Sequence, residues 1–207
     1  MVSVRYQDVI ESLREAYDGG AADRDAWTKQ EWKVQERTAF LGRLRDEGCT
    51  RLVEIGAGPG QDAAAFREAG LDVVATDLSP EMVARCRAKG LDARVCGFLD
   101  LGAAFPAESF DAVYALNCLL HVPNADLPAV LETVRGLLRP GGLFFMGVYA
   151  GDGGEGVVED DDHTPHRFFS WRTDEQIQQF ARASFSIEDF HVLDLGAYTF
   201  QSLTLRR

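Results

Sequence analysis

Five short apolar runs, at 51–55, 71–77, 92–99, 110–120 and 142–149, recur along the chain with stretches of helical spacing between them. Continuous apolar runs predict strands buried on both faces, and the intervening helical patterns predict crossovers, so the arrangement is that of an open α/β sheet. Helices are expected from Gln61, from Pro80 with Ser79 as its N-cap, and over 126–138. Two further runs, 185–192 and 199–205, predict strands after the last crossover. Ahead of the first strand, Val4, Ile10, Leu13 and Tyr17 keep an irregular helical spacing that stops at Asp18-Gly19-Gly20. A second helix is expected over 24–47, where Trp27, Trp32, Val34, Phe40, Leu41 and Leu44 stand among charges.

The first strand breaks into glycines. Glu54-Ile55-Gly56-Ala57-Gly58-Pro59-Gly60 leads directly into Gln61-Asp62-Ala63, the form of a first βα turn whose backbone approaches a ligand more closely than a Cβ would allow. The spacing is E-x-G-x-G-x-G. A dinucleotide fingerprint would place its third glycine at 61, where Gln61 stands, so a nicotinamide dehydrogenase is disfavoured. The second strand ends in Asp77, placed to accept hydrogen bonds from a ribose diol.

These stretches resemble the class I S-adenosylmethionine-dependent methyltransferases. Val53 to Gly60 is similar to that family's first motif, Ala75-Thr76-Asp77-Leu78-Ser79-Pro80-Glu81-Met82 to its second, Ser109-Phe110-Asp111-Ala112-Val113 to the start of its fourth strand, and Leu138-Arg139-Pro140-Gly141-Gly142 to the turn before its fifth. The resemblance implies a Rossmann-like doubly wound seven-stranded sheet, mostly parallel with an antiparallel last strand. A single domain is expected, with an N-terminal helical cap over 1–48 and a core over 49–207. It implies S-adenosylmethionine as cofactor, S-adenosylhomocysteine as product, and a small-molecule acceptor. The implied cofactor residues are Glu54 for the amino group, Gly56, Gly58 and Gly60 for the methionine part, Asp77 for the ribose, and Leu78 and Met82 framing the adenine. An acid often follows the third strand in such chains. Position 97 is glycine here, which leaves the adenine amino group to Asp100 or to the backbone at Phe98 and Leu99.

Residues past the fourth strand face the ligand crevice of an open α/β sheet, which makes Asn117 and His121 the catalytic candidates. An imidazole with an ordinary pKa of about 6.5 suits a general base. Tyr114 is a weaker candidate. Tyr17, Trp27, Trp32, Tyr149 and His166 are candidate acceptor-pocket residues, the first three because a cap of this kind covers the cofactor in the family. The glycine-rich, acidic stretch 150–167 reads as a lid loop. Its acids and H-x-x-H pattern do not outweigh Asn117 at the fourth-strand tip, where a hard cation would want a carboxylate, so no metal is expected.

Charge narrows the partners. With 21 Lys and Arg against 33 Asp and Glu, the formal charge is −12, which disfavours nucleic acid and any other polyanion. Cys49, Cys86, Cys96 and Cys118 form no C-x-x-C pair, fitting a reducing cytoplasm. The sequence pattern predicts neither a signal peptide nor a membrane span, and a monomer or homodimer is expected. The alternative to an enzyme is a protein that binds S-adenosylmethionine without turning it over.

Overall fold

The computed structural model describes residues 4–207. In chain order its strands are β1 (Arg51–Ile55), β2 (Asp72–Asp77), β3 (Asp92–Val95), β4 (Phe110–Leu116), β5 (Leu138–Tyr149), β6 (Glu155–Val157), β7 (Phe168–Ser170), β8 (Ser186–Asp194) and β9 (Thr199–Arg206). Seven of these form one sheet in the order β3-β2-β1-β4-β5-β9-β8, while β6 and β7 pair by themselves. β1 to β5 are mutually parallel, and β9 lies antiparallel between β5 and β8. The expected doubly wound sheet with an antiparallel last strand is the one observed.

Alternate residues of each strand serve opposite faces, and this period builds two cores. Val53, Ile55, Val113, Phe144 and Met146 pack on one face with α1 (Tyr6–Gly19), α6 (Leu101–Ala104), α7 (Leu127–Leu137) and α8 (Asp174–Ser184). Leu52, Ala112, Tyr114, Leu143 and Phe145 pack on the other with α3 (Glu31–Asp46), α4 (Gln61–Glu68) and α5 (Pro80–Ala88). Ser79 caps α5 by accepting the Met82 N–H at 3.1 Å, with Pro80 at the first helical position.

Two sequence expectations are corrected. The helix expected over 24–47 is broken into α2 (Ala21–Ala26) and α3, because α4 holds the strap between them: the Gln61 side chain donates to the Trp27 carbonyl at 2.9 Å, and Lys29 pairs with Asp62. The run 110–120 is not one strand. β4 stops at Leu116, since Asn117 adopts φ +54° and a short 3-10 turn, Leu119–His121, follows. This left-handed backbone angle, which asparagine adopts more readily than most L residues, turns the chain out of the sheet at the tip of a central strand.

The helix α1 is strapped across the ligand end of the sheet. At its start the Asp126 carboxylate accepts the Tyr6 N–H at 2.6 Å and pairs with Arg5. At its end Asp18 accepts from the Ser79 hydroxyl and from the Glu81 N–H at 3.2 Å, beside Asp77.

Candidate active site

A hollow of about 360 Å³ opens at the C-terminal ends of β1, β4 and β5, roofed by α2, α3 and the strap between them. A smaller one of about 60 Å³ adjoins it toward β2, sharing Tyr17, Arg24, Gly56, Gly58, Asn117 and His121. The structure therefore brings most of the predicted residues together along one cleft.

The three loop glycines do different work. A Cβ on Gly56 would sit 2.3 Å from the Cys118 Cβ, and one on Gly60 would meet Cys86 Sγ and Leu91 Cδ1 at 2.7 Å, so both glycines are demanded by packing. Gly58, at φ +55°, would direct a Cβ into open space. Its positive φ suits glycine, and the space beside it is open. Gly56 and Gly58 line the cleft, whereas Gly60 is buried at the start of α4.

Asp77 is 8% exposed and borders the smaller hollow. Its carboxylate accepts the Gly58 N–H at 2.8 Å and the Ser79 N–H at 2.9 Å, which ties the glycine loop to the next strand. Burial pushes its pKa up and those two bonds oppose the shift. Glu54 borders the larger hollow, with its Oε2 buried and without a partner among the described residues. Burial, with Asp62 nearby, holds its carboxyl well above the usual range. A buried carboxyl with an orphaned oxygen beside open space fits a ligand's ammonium group, which would restore its charge. Asn117 Oδ1 is likewise buried and unpartnered. Leu78 and Phe98 line the smaller hollow, and Tyr6 stacks on Phe98 at 5.7 Å between ring centroids.

Other predicted residues lie outside the cleft walls. Met82 is fully buried, Leu99 is 38% exposed, and Asp100 is exposed beside Gly97. Trp32 packs on Phe200 at 4.5 Å and does not line the hollow, while the exposed Trp27 does. His166 is exposed and away from the cleft, and it is His163 that borders the hollow. The buried Tyr114 belongs to the core under α3 and α4.

His121 departs from the sequence expectation in its chemistry. Its Nδ1–H donates to the Phe168 carbonyl at 2.7 Å, and its Nε2 accepts from the Tyr17 hydroxyl at 2.5 Å. Burial pushes its pKa down to about 3, with Arg167 and Arg24 opposing a positive charge. The imidazole is neutral and both nitrogens are engaged. Arg167 donates to the Tyr17 oxygen at 3.3 Å and pairs with Asp161. The stretch 150–167 is thus tied down: it contains β6, and Arg167 closes it onto the cap. Asp161, Asp162 and His163 cluster closely enough to hold a metal ion, and Arg167 pairs with both acids.

Sequence reasoning missed Tyr6, Arg24, Lys29, Lys33, Arg167 and Phe169, all of which line one of the hollows. Most of them stand on the cap or beyond β5, outside any motif. The one local signal was Gln61-Asp62, a polar pair at the start of a helix, whose partners proved to be the strap and Arg37.

A sheet of this order, with a glycine loop after β1 and a carboxylate at the tip of β2, defines the Rossmann-like fold of the class I S-adenosylmethionine-dependent methyltransferases. The sequence profile of the methyltransferase domain matches residues 53–146 of this chain. Among similar sequences, a ubiquinone biosynthesis O-methyltransferase of Xanthomonas oryzae pv. oryzae is 35% identical over 116 residues, 53% of this chain and 47% of that protein. The chain thus matches about half the length of such relatives. Among solved structures, the 1,6-didemethyltoxoflavin-N1-methyltransferase of Burkholderia thailandensis, with its substrate and S-adenosylhomocysteine bound, superposes with a TM-score of 0.78 at 24% identity, over 100% of this chain and 92% of that one. The magnesium protoporphyrin IX methyltransferase of Synechocystis PCC 6803 with bound S-adenosylhomocysteine gives 0.73 at 16% identity, over 96% and 99%. No helix among the described residues is long and apolar enough to cross a membrane.

Proposed function

We propose that the protein transfers the methyl group of S-adenosylmethionine to a small-molecule acceptor. The observation that carries this reading is the pair of adjoining hollows, one bordered by Asp77 and Phe98, the other reaching past Asn117 to Tyr149. The cofactor supplies an electrophilic methyl group that needs no further activation. What remains for the protein is positioning. Asp77 receives the ribose, Gly58 leaves room for the methionine part, and Glu54 takes the ammonium. Asn117 stands at the junction of the two hollows, where its unpartnered Oδ1 is available to orient cofactor or acceptor.

His121 is assigned an orienting role. With Nε2 occupied and the pKa near 3, it fixes the Tyr17 hydroxyl at the wall of the acceptor space and removes no proton at neutral pH. In this reading the segment before Cys49 is a cap on the core, and 150–167 lines the acceptor entrance. The four cysteines, all free and buried, fit a cytoplasmic setting. Monomer or homodimer, and no resident metal, complete the proposal.

The test is turnover. Production of S-adenosylhomocysteine, measured over a set of phenols, amines, carboxylic acids and heteroaromatic compounds, is expected to rise above the hydrolytic background for at least one class. Tight S-adenosylhomocysteine binding with no turnover on any class would leave a binding protein in its place.

A further inference from the structure

We propose that the acceptor is a flat, conjugated molecule carrying an anionic group, and that Lys33 receives that group. The inference deepens the methyl-transfer reading and rests on it. Acids outnumber bases 33 to 21 in this chain, so a half-buried cation without a carboxylate is against the odds. Among its cationic neighbours, Lys29 and Arg37 share Asp62 and Arg167 takes Asp161, whereas Arg24, which lies over the Tyr17 ring, also makes no ion pair among the described residues. Lys33 makes no ion pair among the described residues, yet it lines the larger hollow.

Its position separates it from the cofactor's own charges. In the sheet order β2-β1-β4-β5, Asp77 ends β2 and Glu54 lies on β1, whereas the Lys33 ammonium stands 5.9 Å from the ring centre of Tyr149, which ends β5. It also lies 5.1 Å from the Trp32 ring. Two aromatic faces steady a cation but do not replace a counter-ion. Burial, with Arg24 and Lys29 close by, pushes its pKa down to about 8. The acceptor end therefore carries an unmet positive charge, and the bound sulfonium adds another. An anion relieves both, while a cationic acceptor would aggravate them. Tyr149, Trp27 and Phe169 line the same space, and an aromatic wall of this kind favours a flat conjugated body.

Benzoate and benzamide share a shape and differ in charge, so the two are titrated by NMR onto protein saturated with S-adenosylhomocysteine. Wild type, Lys33→Met and Lys33→Arg are compared. Wild type is expected to bind benzoate at least tenfold more tightly than benzamide, Lys33→Met to lose that preference, and Lys33→Arg to keep part of it. S-adenosylhomocysteine affinity should stay within about twofold in all three. Equal binding of the two probes by wild type, or a preference that survives Lys33→Met, would overturn the proposal. Failure of S-adenosylhomocysteine to bind wild type would remove the methyl-transfer reading itself, a separate outcome.

Discussion

The two ends of the cleft, assigned to cofactor and acceptor in the proposed reading, are built differently. The cofactor end is local: Glu54, Gly56 and Gly58 alternate along one five-residue stretch that runs off β1, and Asp77 reaches Gly58 across one pair of parallel strands. The acceptor end is assembled from afar. Tyr17 meets His121 across 104 positions and Arg167 across 150, and Lys33 comes from a helix that precedes the sheet. Strand tips fix the cofactor wall through sheet geometry, whereas the acceptor wall depends on side chains that bridge separate elements. The first should be hard to displace without unfolding the sheet edge, and the second should vary with single contacts.

The largest effect is expected at Asp77. Asp77→Ala removes the ribose acceptor and also frees the Gly58 and Ser79 N–H groups, so S-adenosylmethionine affinity should fall by roughly 2 to 4 kcal/mol. Calorimetry on the folded variant checks this, and unchanged affinity would break the division between the two ends. Next is Arg172, 1% exposed, which donates to the carbonyls of Leu119 and Val122 and to Asn124 Oδ1. It pins the turn carrying His121 to the segment after β7. Arg172→Met removes all three bonds, leaves Asn124 Oδ1 without its donor, and should cost about 2 kcal/mol of stability in denaturant unfolding. The loss should be felt more in acceptor KM than in cofactor affinity.

How far each end was legible follows from the same difference. The glycine loop, Asp77 and the sheet could be read because each depends on neighbours in sequence or on strand period. Trp32 and His166 were misplaced and Lys33 and His163 overlooked because aromatic, basic and histidine residues on a helix or loop carry no mark of which way they face. The break at 27–30 was invisible for a related reason: its cause, Gln61 and Asp62, lies on another element. The pKa of His121 was misjudged because burial by Phe168, Phe169 and the cap cannot be seen from its position after β4.

Smaller effects sharpen the contrast. Tyr17→Phe leaves His121 Nε2 without its donor and should raise acceptor KM by the equivalent of about 1 kcal/mol, with a smaller change in S-adenosylhomocysteine affinity. A larger change in the cofactor would place Tyr17 at the wrong end. The last is a pH effect, absent at neutral pH and growing on acidification. Because the folded pKa of His121 lies near 3 and the unfolded value near 6.5, only the unfolded chain takes up this proton as pH falls from about 6.5 toward 3. Its contribution to stability is therefore whole above about pH 6.5 and declines on acidification, by up to about 1.4 kcal/mol per pH unit. His121→Gln should flatten that part of the stability profile relative to wild type, and an identical acid slope in both proteins would contradict a neutral, buried imidazole.

In the proposed reading one cleft holds cofactor and acceptor end to end, with Asn117 at the junction. A crystal structure of the protein with S-adenosylhomocysteine tests it most directly. The account predicts ribose hydroxyls on the Asp77 carboxylate, the amino group at Glu54, and the sulfur beside Asn117 facing the open space toward Tyr149 and Lys33. A complex in which the ribose avoids Asp77, or the sulfur faces away from Tyr149, would contradict it.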